Sequence, residues 1–333
     1  GGTLTGRFSY SNPNLQQIPA KDDAESGIKI GSLIRGLFLP EEEEKWGSFD
    51  YSQQEPRLVS HYANIVKLEG AEKIVKAYNE DKETDFHTIM AEIGNIPRKS
   101  AKTINLGLFY GMGKNKLRVE LGLEPEEAEK LFEAYHKKVP FVKEISKKFM
   151  EFSEDLKLIY TLEDRFCRFN RYETVDKKWI KNKWVEWDPQ ATYIDEKTKK
   201  ERKGKFIDVK LLTEDEARAE AARKYNMKME KKWEQLDKKE QDDEFTEYYV
   251  PAFTYKALNR MVQGSAADMT KKAMVDLHEK GIIPHIQIHD ELCVSVKDKS
   301  MSDIVKQTME NAIKLEIDNR VDYESGPNWG TLK

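Results

Sequence analysis

The sequence predicts an α+β chain in which an antiparallel sheet with helices is joined to a mainly helical subdomain. Two observations carry the helices: residues 58–96 and 123–152 have helical periodicity, and residues 97–111 place a proline in the first turn ahead of the helix formers Ala101, Lys102 and Leu108. A third carries the sheet. Apolar residues lead into Phe49-Asp50 as a strand would, and residues 286–296 alternate on either side of His289-Asp290-Glu291 as a β-hairpin does.

At 333 residues the chain is long enough for two or more subdomains, each with its own core. Charged residues make up 35% and the mean hydropathy is −0.76, the composition of a soluble chain. The sequence has no apolar run of membrane-spanning length and no N-terminal secretory pattern. It opens Gly-Gly without Met, as a fragment or a processed product would. A net charge of −4 excludes a histone-like DNA binder but not an enzyme with a basic cleft in an acidic exterior. Cys167 and Cys293 lack metal-ligand spacing, so neither a zinc site nor a disulfide framework is expected, and a reducing cytoplasm fits.

In chain order, TGRFSYSNPNLQQIP at residues 5–19 is rich in Ser, Asn and Pro and reads as irregular structure. In WGSFDYSQQEPR, residues 46–57, a strand runs into Asp50 and a helix opens at Pro56 and Arg57. An Asp at such a strand end caps the helix or binds a metal. On the helix of residues 97–111, Arg98, Lys102, Leu106 and Tyr110 recur every four residues and share one stripe. That stripe is either a solvated charged face or a surface on which a polyphosphate lies beside a flat ring. Residues 183–211 read as a β-hairpin with a charged tip, and Thr213 with Glu216 forms a capping box for a charged helix to about residue 244. Trp179, Trp184 and Trp187 beside several lysines either stack bases or pack against that helix. Asn259 and Gln263 face one side of a later helix. At the turn of the last hairpin, Asp290 and Glu291 are adjacent carboxylates that repel each other, and a divalent cation would explain them.

These stretches resemble family A (DNA polymerase I-like) DNA polymerases, possessing in order TGRFSYSNPNLQQIP, DYSQQEPR, DFH, RKSAKTINLGLFYG, NRMVQGSAAD and IHDE. The resemblance covers the C-terminal palm and fingers, is phage-like in its insertion, and lapses at about residues 170–250. It implies a palm in residues 1–60 and 251–333, fingers in 61–169 and an insertion in 170–250, with the thumb absent from this chain. The implied activity is template-directed addition of deoxynucleotides to a primer 3′-hydroxyl, using two Mg²⁺ ions for which Mn²⁺ substitutes. Asp50 and Asp290 would ligate metal with the Tyr51 backbone carbonyl, and Glu291 would lie close by. Arg98, Lys102, Leu106, Tyr110, His87 and Lys21 would meet the nucleotide, with Lys102 donating a proton to the leaving group and Glu55 excluding a ribose 2′-hydroxyl. Arg7, Asn259, Gln263 and His289 would contact DNA near the primer terminus. The implied partners are primer-template DNA and dNTPs, bound by a monomer in a bacterial or phage-infected cytoplasm, away from membranes. Two rivals remain: a thumb-less DNA-binding module without efficient synthesis, and a single-subunit RNA polymerase relative, against which Glu55 argues.

The sequence departs from the family at Leu106, where Phe or Tyr is usual, at Lys21 for Arg, and at Gln54 and Pro56 for aliphatic residues. Leu106 removes the ring that would pack on the incoming sugar and base, so handling of dideoxynucleotides is expected to differ. Leu106→Phe and Leu106→Tyr should shift the ratio of dideoxy to deoxy incorporation; an unchanged ratio would remove this position from the sugar contact.

Overall fold

The computed structural model describes residues 3–19, 30–81, 83–109, 118–119, 121–138, 140–180, 183–195 and 198–332. Lys21 and Tyr110 lie outside the described residues, as does the side chain of Leu106. The chain divides into two compact units, one made from Gly1–Phe149, Tyr160–Cys167 and Tyr255–Lys333, the other from Met150–Ile159 and Arg168–Thr254.

The first unit starts with the irregular segment expected at residues 5–19, which holds one 3₁₀ turn, Leu15–Gln17, capped by Asn14. Helix α1 (Ile30–Arg35) and strand β1 (Lys45–Tyr51) follow. The region expected to be largely helical contains α2 (Gln54–Ile65), α3 (Ala71–Glu80) and α4 (Phe86–Gly94), then α5 (Arg98–Phe109). Helices α6 (Pro125–Lys138) and α7 (Pro140–Leu156) meet at Pro140, whose missing N–H suits a first turn. Pro56 likewise sits in the first turn of α2, where its nitrogen has no intrahelical carbonyl to meet.

Short strands β2 (Leu158–Tyr160) and β3 (Phe166–Arg168) lie where the chain crosses between units. The second unit holds β4 (Tyr172–Thr174), β5 (Lys178–Ile180), β6 (Lys183–Ile194) and β7 (Glu201–Asp208), then α8 (Glu214–Lys228), α9 (Lys238–Tyr248) and β8 (Tyr249–Pro251). Strands β5, β6 and β7 form an antiparallel sheet, and β4 pairs with β8. The Thr213–Glu216 capping box starts α8, but the single charged helix expected beyond it is two helices. The chain reverses at Trp233, which is buried with Tyr172, Tyr225, Phe245, Tyr248 and Tyr249, and a second capping box, Asp237 with Glu240, starts α9. Burying the indole stabilises the reversal more than two further helical turns of charged residues would.

The chain returns to the first unit through α10 (Ala257–Glu279), β9 (Ile286–Ile288), β10 (Glu291–Val296), α11 (Lys299–Asn311) and β11 (Val321–Gly326). The sheet order is β11-β1-β10-β9, so β1 is central and antiparallel to both neighbours. Its two faces differ because side chains alternate along a strand. Phe49 and Tyr51 point to one face, where the Tyr51 hydroxyl donates to the Met309 carbonyl of α11 at 2.7 Å. Gly47 lies under the rings on this face, since a Cβ there would come within 2.6 Å of Val296 Cγ2 and 3.0 Å of the Phe49 ring. The opposite face carries Trp46, packed with Ile286, Ile288, Cys293 and Trp329, and beyond it Ser48 and Asp50.

Helix α10 presents Gly264, Ser265, Ala266 and Ala267, all buried, and their small size lets α2 approach closely. Tyr62 and Ser265 share a hydrogen bond at 2.6 Å, and the buried Gln54 amide donates to the Ala266 carbonyl at 3.3 Å. Gln54, which stands where the family has an aliphatic residue, therefore satisfies its polar head on a helix backbone.

The rear face of the sheet should carry much of the first unit's stability. Phe49 is fully buried and stacks on Tyr323 with centroids 4.6 Å apart. Phe49→Ala is expected to cost about 3–5 kcal/mol, read from the urea midpoint. A midpoint equal to wild type would mean that this face is not core.

Candidate active site

Asp50 ends β1 with its side chain on the face opposite Phe49. In register it stands directly across from Glu291 of β10 and from Asp322 of β11. Directly opposed residues point to the same face, so three carboxylates lie in a row across three strands. Asp290 joins them from the two-residue turn between β9 and β10, its carbonyl accepting from the Tyr51 N–H at 3.3 Å. Residues 240 positions apart in sequence thus meet. His289, the other turn residue, has φ 54°, a left-handed conformation that costs a side chain about 1–2 kcal/mol. Type I′ and II′ hairpin turns need positive φ at this first position, and the chain meets that need without glycine.

Crowding shows in the protonation of Asp50. Withdrawal of its carboxyl from water, then the negative charges of Asp290, Glu291 and Asp322, push its pKa up to about 8, and it hydrogen-bonds with the Asp290 carboxyl. The residue as a whole keeps solvent access, so the like-charge part of the shift is the part that an added cation reverses. Asp290 is also raised, first by burial and then by the charge of Glu55, while its own backbone N–H, His289 and Arg7 oppose the shift. Glu291 is held in place, its Oε1 accepting from Ser48 Oγ at 2.5 Å and Cys293 Sγ at 3.3 Å.

A carboxyl pair sharing a proton has the donor chemistry of a cation site. Among the described residues no group of three or more His, Cys, Asp or Glu is arranged to hold a metal ion. Protein donors limited to one or two carboxylates, with the remainder from water and phosphate oxygens, are characteristic of Mg²⁺. Asp50 and Asp290 offer hard carboxylate oxygens side by side, the donor type Mg²⁺ takes, and they are the side chains that would hold it.

Around this row, Arg7 pairs with Glu55 at 2.5 Å, and their charges act in opposite senses on Asp290. Arg7 and His289 line a cavity of about 140 Å³ with Gln287 and Lys271. Gln287 is 5% exposed; its amide donates to the His289 carbonyl at 2.5 Å, and its Oε1 has no partner among the described residues. Asn259 and Gln263 are half-buried, one turn apart on α10. Arg165 is an internal cross-link. It pairs with the buried Asp268 and donates to the carbonyls of Gly264 at 2.8 Å and Thr5 at 3.3 Å. This fixes the loop that carries Arg7 against α10, and a Cβ on Gly6 would collide with the guanidinium.

A second cluster surrounds the start of α5. Ala101, Ile104 and Asn105 face the interior, leaving Arg98 and Lys102 exposed as the four-residue spacing predicts. Arg98 pairs with Asp85, which also caps α4 by accepting from the His87 N–H at 2.8 Å. Burial raises the Asp85 pKa, but the bonds from Arg98 and from the His87 amide outweigh it, and the carboxyl lies below its usual range. The His87 ring is buried, and its Nδ1 meets the Asn105 amide at 3.0 Å, while Asn105 Oδ1 accepts from the Tyr135 hydroxyl. Gln53 links the clusters: its Oε1 accepts from the Phe86 N–H at 2.8 Å, and it sits between Asp50 and α2 with φ 53°.

Sequence reasoning missed Asp322, Ser48 and Gln287. For Asp322 the signal was the alternation of VDYESG, residues 321–326, which puts Asp322 and Glu324 on one face; for Gln287 it was the alternation about Ile286 and Ile288.

A four-stranded antiparallel sheet with helices and a carboxylate row at its strand ends has the architecture of a polymerase palm. The description "DNA polymerase family A" matches residues 1–185 and 198–331, and the chain belongs to that family. It is 30% identical over 370 residues to a DNA-directed DNA polymerase of Pseudomonas phage M6, covering 99% of this chain and 44% of that protein. It is 27% identical over 347 residues to the thermostable DNA polymerase I of Thermus aquaticus, covering 99% of this chain and 32% of that one. The chain thus spans less than half the length of these relatives. The fold matches the POL domain of Pol1 from M. smegmatis, solved with DNA primer-template and dNTP, at a TM-score of 0.64 and 21% identity over 98% of this chain and 46% of that one.

Burial, followed by the charges of Lys102 and Arg98 against that of Asp85, lowers the His87 pKa to about 4 from 6.5. The unfolded chain therefore takes up a proton first as pH falls, and stability present above pH 6.5 is lost progressively toward pH 4. Over that window wild type should lose about 3 kcal/mol more than His87→Gln in urea denaturation. Equal losses would return His87 to an ordinary pKa.

Proposed function

We propose that this chain is the catalytic region of a template-directed DNA polymerase, adding deoxynucleotides to a primer 3′-hydroxyl by two-metal-ion transfer with release of pyrophosphate. The observation that carries the reading is the meeting of Asp50 and Asp290 at the edge of the carboxylate row in a family A chain. The domain reading is a palm from residues 1–60 and 251–333, fingers from 61–169 and an insertion at 170–250.

Asp50 and Asp290 would hold the ions with the Tyr51 carbonyl, and Glu291 lies close by on its Ser48 and Cys293 hydrogen bonds. When bound, two Mg²⁺ ions supply the acidity that activates the primer hydroxyl and the charge that neutralises the departing pyrophosphate. Arg98 and Lys102 meet the triphosphate from the exposed side of α5, with Lys21 and His87 as further contacts, and Lys102 gives a proton to the leaving group. Leu106 and Tyr110 pack on the sugar and base, and Glu55 closes the space that a 2′-hydroxyl would fill. Arg7, Asn259, Gln263 and His289 contact the duplex near the primer end through minor-groove acceptors that every base pair presents. Primer-template DNA and dNTPs are the partners, and the protein acts as a monomer in a bacterial or phage-infected cytoplasm.

Primer extension tests this. The protein should extend a primer with dNTPs and Mg²⁺, prefer dNTPs to rNTPs, and fall silent with a chelator. Asp290→Ala, which removes several kcal/mol of charge stabilisation from the transition state, should lose about 10³-fold in rate or more. Undiminished extension by Asp290→Ala would sink the reading. DNA binding without extension would favour the binding-module alternative, and equal use of rNTPs would favour the RNA polymerase relative.

A further inference from the structure

We propose that the face of the β5-β6-β7 sheet centred on Trp187 and Phe206 binds single-stranded DNA. Trp187 and Phe206 are directly opposed in register, edge to face at 5.2 Å, and remain 55% and 44% exposed. A tryptophan that served as core would be almost wholly covered, as Trp233 of the same unit is at 8%. The Trp187 ring is also fixed in place. It lies on the backbone of Gly204, where φ is +83° and a Cβ would fall 2.5 Å from the indole. One face of the ring is thus supported by the sheet, and the exposure is that of an oriented platform.

The two rings wall a groove of about 570 Å³ with Asp176, Lys177 and Lys178. Lys177 pairs with Glu173, whereas Lys178 has no ion-pair partner among the described residues and holds its ammonium 5.9 Å from the Phe206 centroid. Residues 176–211 carry eleven Lys and Arg against seven Asp and Glu, a net charge of +4 in a chain whose total is −4. Positive charge beside flat, upright rings matches a strand with anionic phosphates and free base faces. A duplex offers no such faces, because its bases already stack on one another, so the complementary ligand is unpaired. The substrate implied by the polymerase reading includes such a strand, the uncopied template, and the choice of DNA over another polyanion rests on that reading. The match to the family breaks at residues 186–197, which begin inside β6 beside Trp187, so the groove is partly built from a segment outside that match.

The test is fluorescence anisotropy of an oligodeoxythymidylate and of a blunt duplex with the whole protein across a salt series, without nucleotide or Mg²⁺. Trp187→Ala should weaken single-strand binding about 5- to 150-fold, the range for losing one stacked base, and leave blunt-duplex binding within about 2-fold. Trp187→Phe should keep most of the affinity, which separates stacking from damage to the fold. Lys178→Gln should reduce the slope of log affinity against log salt by about 0.7. Primer extension on a template with a one-nucleotide overhang, run in parallel, should be the same in Trp187→Ala and wild type. If wild type fails to extend but Trp187→Ala loses the oligonucleotide, the groove stands and the polymerase reading falls. If Trp187→Ala and Lys178→Gln bind the oligonucleotide as wild type does, the proposal is overturned, including the case in which this face takes a protein partner.

Discussion

The first unit is organised around a repulsion. Like charges directly opposite on adjacent strands are destabilising, yet Asp322, Asp50 and Glu291 stand opposite one another across β11, β1 and β10, with Asp290 against them. The sheet holds this row because its order is fixed elsewhere. One face is locked by Phe49, Tyr323 and the helix α11, and the other by the Trp46, Ile286, Ile288 and Trp329 cluster. Register cannot slip by one residue to relieve the charges without turning Phe49 outward. Folding energy from the aromatic layers therefore keeps carboxylates at a spacing that only a proton or a cation neutralises.

That constraint propagates outward through groups with no free choice of position. Gln53, one residue after Ser52 and in a left-handed conformation, binds the backbone at the start of α4 and so ties the strand end to the helix bearing His87. Arg57, buried in α2, donates to the carbonyls of Ser52 and Asp318 and stacks on Tyr78 at 4.3 Å, tying the segment before β11 to the same strand end. Arg165 does the equivalent for the N-terminal loop through Asp268, Gly264 and Thr5. Three buried or half-buried polar side chains, each satisfied by backbone carbonyls or a carboxylate, set where the exposed ones stand.

What could be read in advance follows from range. The hairpin around Asp290, the strand end at Asp50, the exposed Arg98 and Lys102 of α5 and the Thr213 capping box are local patterns, set by periodicity or by residues three or four apart, and the structure contains each of them. Asp322 was silent because its meaning depends on β11 lying beside β1, a pairing across some 270 residues that no local pattern encodes. The helix expected to run on to residue 244 failed because tertiary burial of Trp233 outweighed local propensity.

The cations assigned to the nucleotide and the primer end are not idle in this structure, and the depth of their ion pairs differs. The Arg98 side chain is 56% exposed in its pair with Asp85, whereas Arg7 and Glu55 are 31% and 16% exposed in theirs. An exposed pair is worth roughly 0–1 kcal/mol, so on the proposed reading a polyphosphate with several charges would displace the Asp85 carboxylate from Arg98 at little cost. Asp85 itself does not follow, because its other bonds cap α4 at the His87 and Thr88 positions. That exchange would move an arginine and leave the helix start where it was. Arg7 and Glu55 are drier and more strongly bound, so on the proposed reading that pair opens only when something replaces both partners at once: a base edge for the arginine and the crowded sugar for the glutamate.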